Sequence, residues 1–354
     1  MTGPVLNGLG ARLGSGAGYR KLAYATAAMV FLLIVVGGIV RVSDSGLGCG
    51  PEGSGTDGWP LCGGRAVPLI DTHMVVEYSH RFLAAVVTVM VALLALYAWR
   101  RQRDNRPLVR TSLAAFGLIL VQASLGGLTV EKGLKEELVA THLGVAMIQI
   151  ALILLVARLS RPASERRPER VRPATTRAIT ALSVTAAVLV LGTIVAGGYM
   201  AAGELEGTGR EHAATDAHMA CGDDFPSCNG GFLPFGTSRA MDIHLTHRAL
   251  MYLASAAVLA LFALVLAQRR RLDGDSGKAL TRLASGAVGV LAVQVLLGAM
   301  NVWLGEHESL IVAHLTVGTV LWVTLALLTM RVLDVRQPAA SPSRSSRRVE
   351  AAHA

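Results

Sequence analysis

Four histidines stand inside long apolar stretches: His80 in EYSHRFL, His142 in ATHLGV, His247 in LTHRAL and His314 in VAHLTV. Imidazole is a hydrogen-bonding group and the commonest metal ligand, and a charged residue at membrane depth costs about 2.5 kcal/mol or more, so four of them at matching positions call for a chemical reason. Structural zinc would want a third and a fourth ligand, and a di-metal carboxylate centre would want several Glu residues, each of one pair in a Glu-x-x-His motif. The apolar stretches hold one Glu, Glu77. Two imidazoles facing each other across a bundle suit the axial positions of a heme iron, which pairs His80 with His142 and His247 with His314. Arg81 and Arg248 follow the first histidine of each pair. Each can reach heme propionates or extend to the lipid headgroups.

The two histidine pairs have unequal surroundings. Glu77 precedes His80 by three residues, whereas His244 stands three before His247. Residues three apart share a helix face, so a Glu77 carboxylate lies beside the His80 ring. There it can move a proton, stabilise positive charge developing on a macrocycle, or simply orient His80. Two equal sites would describe an electron-transfer cytochrome subunit, and a heme carrier has no need of a second, tightly held heme. A single acid beside one pair is what an enzyme requires.

The elements that must position these residues are legible from composition. The chain has 354 residues, 52% of them hydrophobic and 16% charged, too apolar for a soluble globule of this length. Eight stretches approach the roughly 20 apolar residues that cross a bilayer: 22–41, 76–98, 111–130, 138–158, 178–201, 243–267, 283–304 and 309–332. The first has a basic flank like a signal peptide, but its apolar run is long and it is read as a retained span.

The net charge of +9 might suggest nucleic acid, but its distribution argues against that reading. Of 33 Lys and Arg, 25 lie at the N-terminus, around 100–110, at 158–177, at 269–282 and from Arg331 onward. Those are alternate connections, so by the positive-inside rule both termini are cytoplasmic. No recognisable nucleic-acid module accompanies the arginines. All four cysteines fall in the two long outer loops, as an oxidising exterior favours. Cys49–Cys62 and Cys221–Cys228 are the simplest pairing, although four cysteines allow three.

An Arg/Pro-rich segment, 159–177, reads as a cytoplasmic linker between two halves that repeat one another. WPLCGG at 59–64 matches FPSCNG at 225–230, SHR at 79–81 matches THR at 246–248, and VQASLGGLTV at 121–130 matches VQVLLGAMNV at 293–302. Each half therefore holds four helices in one order, and the expected fold is all-α, two four-helix bundles at 22–158 and 178–332 related as a parallel repeat. Residues 1–21 and 333–354 are expected to be disordered and cytoplasmic. Glycines in the spans, Gly37, Gly38, Gly126, Gly127, Gly197, Gly198 and Gly298, are read as helix-packing residues.

These residues resemble the heme A synthase family over about 22–332. The resemblance is carried by GGIVRVSDSGLGC at 37–49, WPLCGG, EYSHR at 77–81, QASLGGLTV at 122–130, THLG at 141–144, HLTHR at 244–248 and AHLTVG around His314. It implies oxidation of one ring methyl of heme O, by successive hydroxylations, to the formyl group of heme A. It further implies substrate heme at His80 and His142, a resident heme b on the iron ligands His247 and His314, and Glu77 as the essential acid. Implied partners are heme O synthase, cytochrome oxidase assembly and an unidentified electron acceptor or donor, in the cell membrane with both heme sites near its outer face. The first-loop cysteines look like a pair to which a redox role has been attached in bacterial members. The sequence departs from the family at Ser43-Asp44, where Thr-Gly is usual, and in the GPEGSGTDG insertion after Cys49.

Overall fold

A computed structural model of the chain describes residues 16–67, 71–161, 173–202, 217–270, 272, 274–305 and 307–335. They form eight long helices: α1 Gly16–Val42, α2 Thr72–Arg101, α3 Arg106–Glu131, α4 Glu136–Leu159, α5 Pro173–Ala201, α6 Arg239–Gln268, α7 Gly274–Leu304 and α8 Glu308–Val335. Every one is long and apolar enough to cross a membrane, so the protein is a multi-pass membrane protein. Among the described residues β-pairing is confined to two isolated bridges, Cys62 with Arg65 and Cys228 with Gly231. Helices satisfy their backbone polar groups internally, which is what a hydrocarbon environment demands.

Helix ends lie beyond the apolar runs because local chemistry extends them. The Asp71 carboxylate caps α2 by accepting from the Met74 amide at 3.1 Å, and Ser238 caps α6 by accepting from Met241 at 3.2 Å. Asn105 caps α3 and also donates to the Leu159 carbonyl at 3.0 Å, fastening the α2–α3 turn to the end of α4. The segment expected to be disordered at 1–21 is helical from Gly16. There Tyr19 is 1% exposed and its hydroxyl lies 3.3 Å from the Leu94 carbonyl and 3.1 Å from Ser112 Oγ, so burial of one aromatic ring draws the first turn into the core. Likewise 333–335 continue α8, while 173–177 of the expected linker begin α5 with a proline in the first turn, where its missing N–H costs nothing. Leu159 of the linker ends α4, and Ser160 and Arg161 follow it; the rest of the three segments, 1–15, 162–172 and 336–354, lies outside the described residues.

The helices pack as two sets of four. Within α1–α4 each helix touches its chain neighbour and α4 returns to α1; α5–α8 close in the same way. The sets meet where α4 packs on α5, and where α8 packs on α1 and α4. The Trp322 indole donates to the Met147 carbonyl at 2.7 Å across this seam, and Arg41 at the end of α1 donates through Nε to the last carbonyl of α5, Ala201, at 2.9 Å. A continuous apolar core including Val91, Ile153, Leu261 and Leu325 runs through both sets.

Candidate functional site

Each of the four span histidines meets a glycine of the preceding helix. A Cβ built on Gly37 of α1 would lie 3.1 Å from Cε1 of His80 on α2, and one on Gly126 of α3 would lie 3.2 Å from Cε1 of His142 on α4. In the second set Gly197 of α5 stands to His247 of α6, and Gly298 of α7 to His314 of α8, each at 3.0 Å. Such separations are tighter than ordinary contact, so the missing side chain is what admits the ring. These glycines are therefore more than the general packing residues read from the sequence. Part of the signal was present in the repeat, since Gly126 and Gly298 take the same place in VQASLGGLTV and VQVLLGAMNV.

The neighbouring glycines do a second job across the seam. A Cβ on Gly38 would come within 2.7 Å of Leu315, the residue after His314, and a Cβ on Gly198 within 2.9 Å of Leu143, the residue after His142. Gly37–Gly38 and Gly197–Gly198 thus each seat their own set's histidine and the other set's leucine.

All four rings line one cavity of about 690 Å³, which also reaches Glu77, Arg81, His244 and Arg248. That volume lies within the usual range of ligand sites. Among the described residues no three or more His, Cys, Asp or Glu side chains converge as a metal-binding group. The donor set is instead two pairs of imidazoles.

The pairs differ in how their rings are held. His247 donates from Nδ1 to the Thr193 carbonyl at 3.0 Å, and His314 Nε2 lies 3.0 Å from the Gln294 amide nitrogen. The rings of His80 and His142 have no such bond among the described residues; Nδ1 of each is buried without a partner, as is that of His314, so of the four His247 alone has an Nδ1 held by a carbonyl. Gln122, which matches Gln294 in the repeat, donates to the His142 backbone carbonyl at 2.9 Å and leaves the ring alone. A donated Nδ1–H fixes the tautomer and aims Nε2 as a ligand. Glycine-lined slots, a shared cavity and unpartnered ring nitrogens together fit a group that supplies an iron to each pair.

Glu77 is 3% exposed. Its Oε2 accepts from the Cys49 amide at 2.6 Å and its Oε1 pairs with Arg81 one turn later. Arg81 also donates to the carbonyls of Gly58 and Leu61, inside the loop closed by the Cys49–Cys62 disulfide. The second set repeats this clamp with neutral chemistry. His244 donates from Nδ1 to the Ala217 carbonyl at 2.8 Å and accepts on Nε2 from Arg248 Nε at 2.7 Å, while Arg248 holds the Ser227 and Asp224 carbonyls at 2.6 and 2.8 Å. Those carbonyls belong to the loop closed by Cys221–Cys228. Three of the five N–H groups of each arginine are so engaged, leaving two. Both expected disulfides are formed.

The loops are seated on the helices by aromatic residues that sequence reasoning did not single out. Trp59 lies over Gly127 of α3, where a Cβ would meet its ring at 2.8 Å; Phe225 lies under the Arg248 guanidinium at 5.5 Å and edge-on to Trp303 at 6.1 Å. Residues of the GPEGSGTDG insertion are tied down as well, with Gly53 donating to the Glu131 carbonyl at 3.3 Å and Gly55 to its carboxylate at 3.1 Å. Asp44 has φ of 50°, the left-handed region that glycine adopts freely and aspartate tolerates, and it pairs with Arg41 at 3.4 Å.

An eight-helix membrane protein with twin histidine pairs around one cavity is the class defined by this geometry. Comparison with known proteins names the family. Residues 20–75 and 70–326 match the model of COX15-CtaA, described as cytochrome oxidase assembly protein, and the chain belongs to that family. It is 27% identical over 246 residues to the heme A synthase of Shouchella clausii, covering 69% of this chain and 75% of that protein. Over 303 residues it is 27% identical to the heme A synthase of Halalkalibacterium halodurans, 84% of this chain and 92% of the other. A stretch of 144 residues is 34% identical to the heme A synthase of Bacillus pumilus, 40% of this chain and 44% of that one.

Proposed function

We propose that this protein is a heme A synthase of the cell membrane, an oxidoreductase that converts a ring methyl of heme O to the formyl group of heme A for cytochrome oxidase assembly. The N-terminal bundle, 22–158, takes the substrate between His80 and His142. The C-terminal bundle, 178–332, keeps a resident heme b on His247 and His314. Both termini are cytoplasmic, and both pairs lie toward the outer face.

The observation that supports the assignment of the halves is the hydrogen bond that orients His247, which neither His80 nor His142 has. A permanent ligand gains from an oriented imidazole, as His247 has from Thr193. A substrate that arrives and leaves is better served by rings with no prior hydrogen bond to break, as at His80 and His142. Heme b bound in the second bundle supplies one-electron redox chemistry beside the substrate site.

Glu77 is the acid beside the reacting ring. With Arg81 it forms a buried ion pair at the outer end of α2, so its charge is held in place by the guanidinium and by the Cys49 amide. A fixed carboxylate stabilises positive charge that develops on the adjacent macrocycle, and it can accept a proton released there. The two remaining N–H groups of Arg81, and those of Arg248 in the other bundle, would receive the propionates.

Extraction of pigments from cells that make heme O and express this chain tests the reading. Heme A is expected in the extract. Heme O with no heme A would sink it, and would leave an electron-transfer subunit or a heme carrier as the alternative.

A further inference from the structure

Gln149 on α4 is 1% exposed, and neither its amide nitrogen nor its carbonyl oxygen has a partner. It lines the cavity shared by the histidines. An amide left unsatisfied in a water-free interior is destabilising, and native structures rarely keep one without a reason. Gln149 follows His142 by seven residues, two helical turns, so it lies on the same face about 10 Å farther along the axis, deeper in the membrane.

The repeat sharpens the point. His314 stands where His142 does, and the residue seven positions later is Leu321, 2% exposed and lining the same cavity. At this position α4 therefore carries a hydrogen-bonding side chain and α8 an apolar one. Heme O and heme b differ at one ring position, where heme O bears a hydroxyethylfarnesyl chain and heme b a vinyl group. With the propionates at Arg81 near the outer face, that position falls on the deep edge of the ring. An alcohol both donates and accepts, and so does a carboxamide; a vinyl group does neither.

We infer that Gln149 hydrogen-bonds the hydroxyl of the substrate's hydroxyethylfarnesyl chain and selects heme O over heme b in the N-terminal bundle, while Leu321 suits the vinyl-bearing ring in the C-terminal bundle. This rests on the heme A synthase reading, whose site it extends to the far edge of the ring. A site built to pair with a hydroxyl rejects an analogue lacking it, because its polar groups are then stranded.

The test uses the purified full chain already carrying heme b, offered heme O and heme b in competition, with the second equivalent of bound pigment identified after extraction. The wild type is expected to take heme O preferentially, and Gln149→Met to reduce that preference roughly tenfold, the factor set by one buried hydrogen bond. Melting of the heme-free protein gives a second readout. Because the amide has no protein partner to lose, Gln149→Met should melt no lower than the wild type. An unchanged preference, or a lower melting temperature, overturns the inference. A wild-type protein that takes up no heme O at all overturns the heme A synthase reading with it, so the two failures are told apart.

Discussion

The backbone amide of Cys49 donates to the Glu77 carboxylate at 2.6 Å, fastening the outer disulfide loop to the helix that carries His80. Acid, arginine and loop form one unit, because Arg81 completes the triangle through Glu77, Gly58 and Leu61. The corresponding unit in the other bundle has His244 in place of the acid.

Replacing the acid should separate chemistry from binding. Glu77→Gln keeps an acceptor for the Cys49 amide but removes the charge; heme b is expected to stay and heme A formation to fall at least a hundredfold, the usual scale for one proton-transfer group. Glu77→Ala should also abolish product and, by stranding the amide and the guanidinium, cost about 1–3 kcal/mol of stability. His244→Ala is expected to lose far less product. Pigment extraction and thermal melting check all three.

The histidine assignment predicts a spectroscopic split. His314→Leu and His247→Leu should each abolish the low-spin b-type spectrum of the purified protein. His80→Leu and His142→Leu should leave that spectrum and prevent heme A formation. A normal b-type spectrum from His314→Leu would refute the C-terminal ligand pair.

The glycine slots allow a subtler test. Gly197→Ala puts a methyl 3.0 Å from the His247 ring, and Gly37→Ala puts one 3.1 Å from His80. Overpacking of this kind costs about 1–3 kcal/mol. The first variant should shift the heme b spectrum or reduce its occupancy. The second should spare heme b and lower product yield. Purified holoprotein spectra and pigment ratios distinguish them.

Loss of the first disulfide should be felt as stability before activity. Cys49 and Cys62 are 13 residues apart, a loop whose closure is worth about 3 kcal/mol in the chain-entropy account. The Cys49→Ser/Cys62→Ser variant keeps the Cys49 amide bond to Glu77 and the carbonyls held by Arg81. It is expected to melt at lower temperature while retaining heme A formation; complete loss of product with an unchanged melting temperature would assign the sulfurs a redox task instead.

The sequence made some of this legible and hid the rest for physical reasons. Histidines in apolar runs announce themselves because burial of such groups is costly, and the Glu77/His244 difference showed once the halves were aligned. The disulfides followed from cysteines confined to two loops. What Gly37 faces could not be read, since α1 has the same local pattern whichever neighbour it meets. The arginine clamps were hidden for a related reason: Arg81 and Arg248 bind backbone carbonyls, which carry no residue identity. Gln149 passed as one polar residue in an otherwise apolar span, and only its lack of a partner sets it apart. Tyr19 likewise fell in a segment expected to be disordered, because nothing in its local sequence shows that its ring is buried in the core.

The crossed seating of Leu315 on Gly38 and Leu143 on Gly198 makes each bundle the template for its twin. A side chain added at either notch would meet the leucine that follows the other set's histidine, so the packing of each set reaches the ring of its counterpart. The two sets thus differ in chemistry at Glu77 and His244 while interlocking in shape.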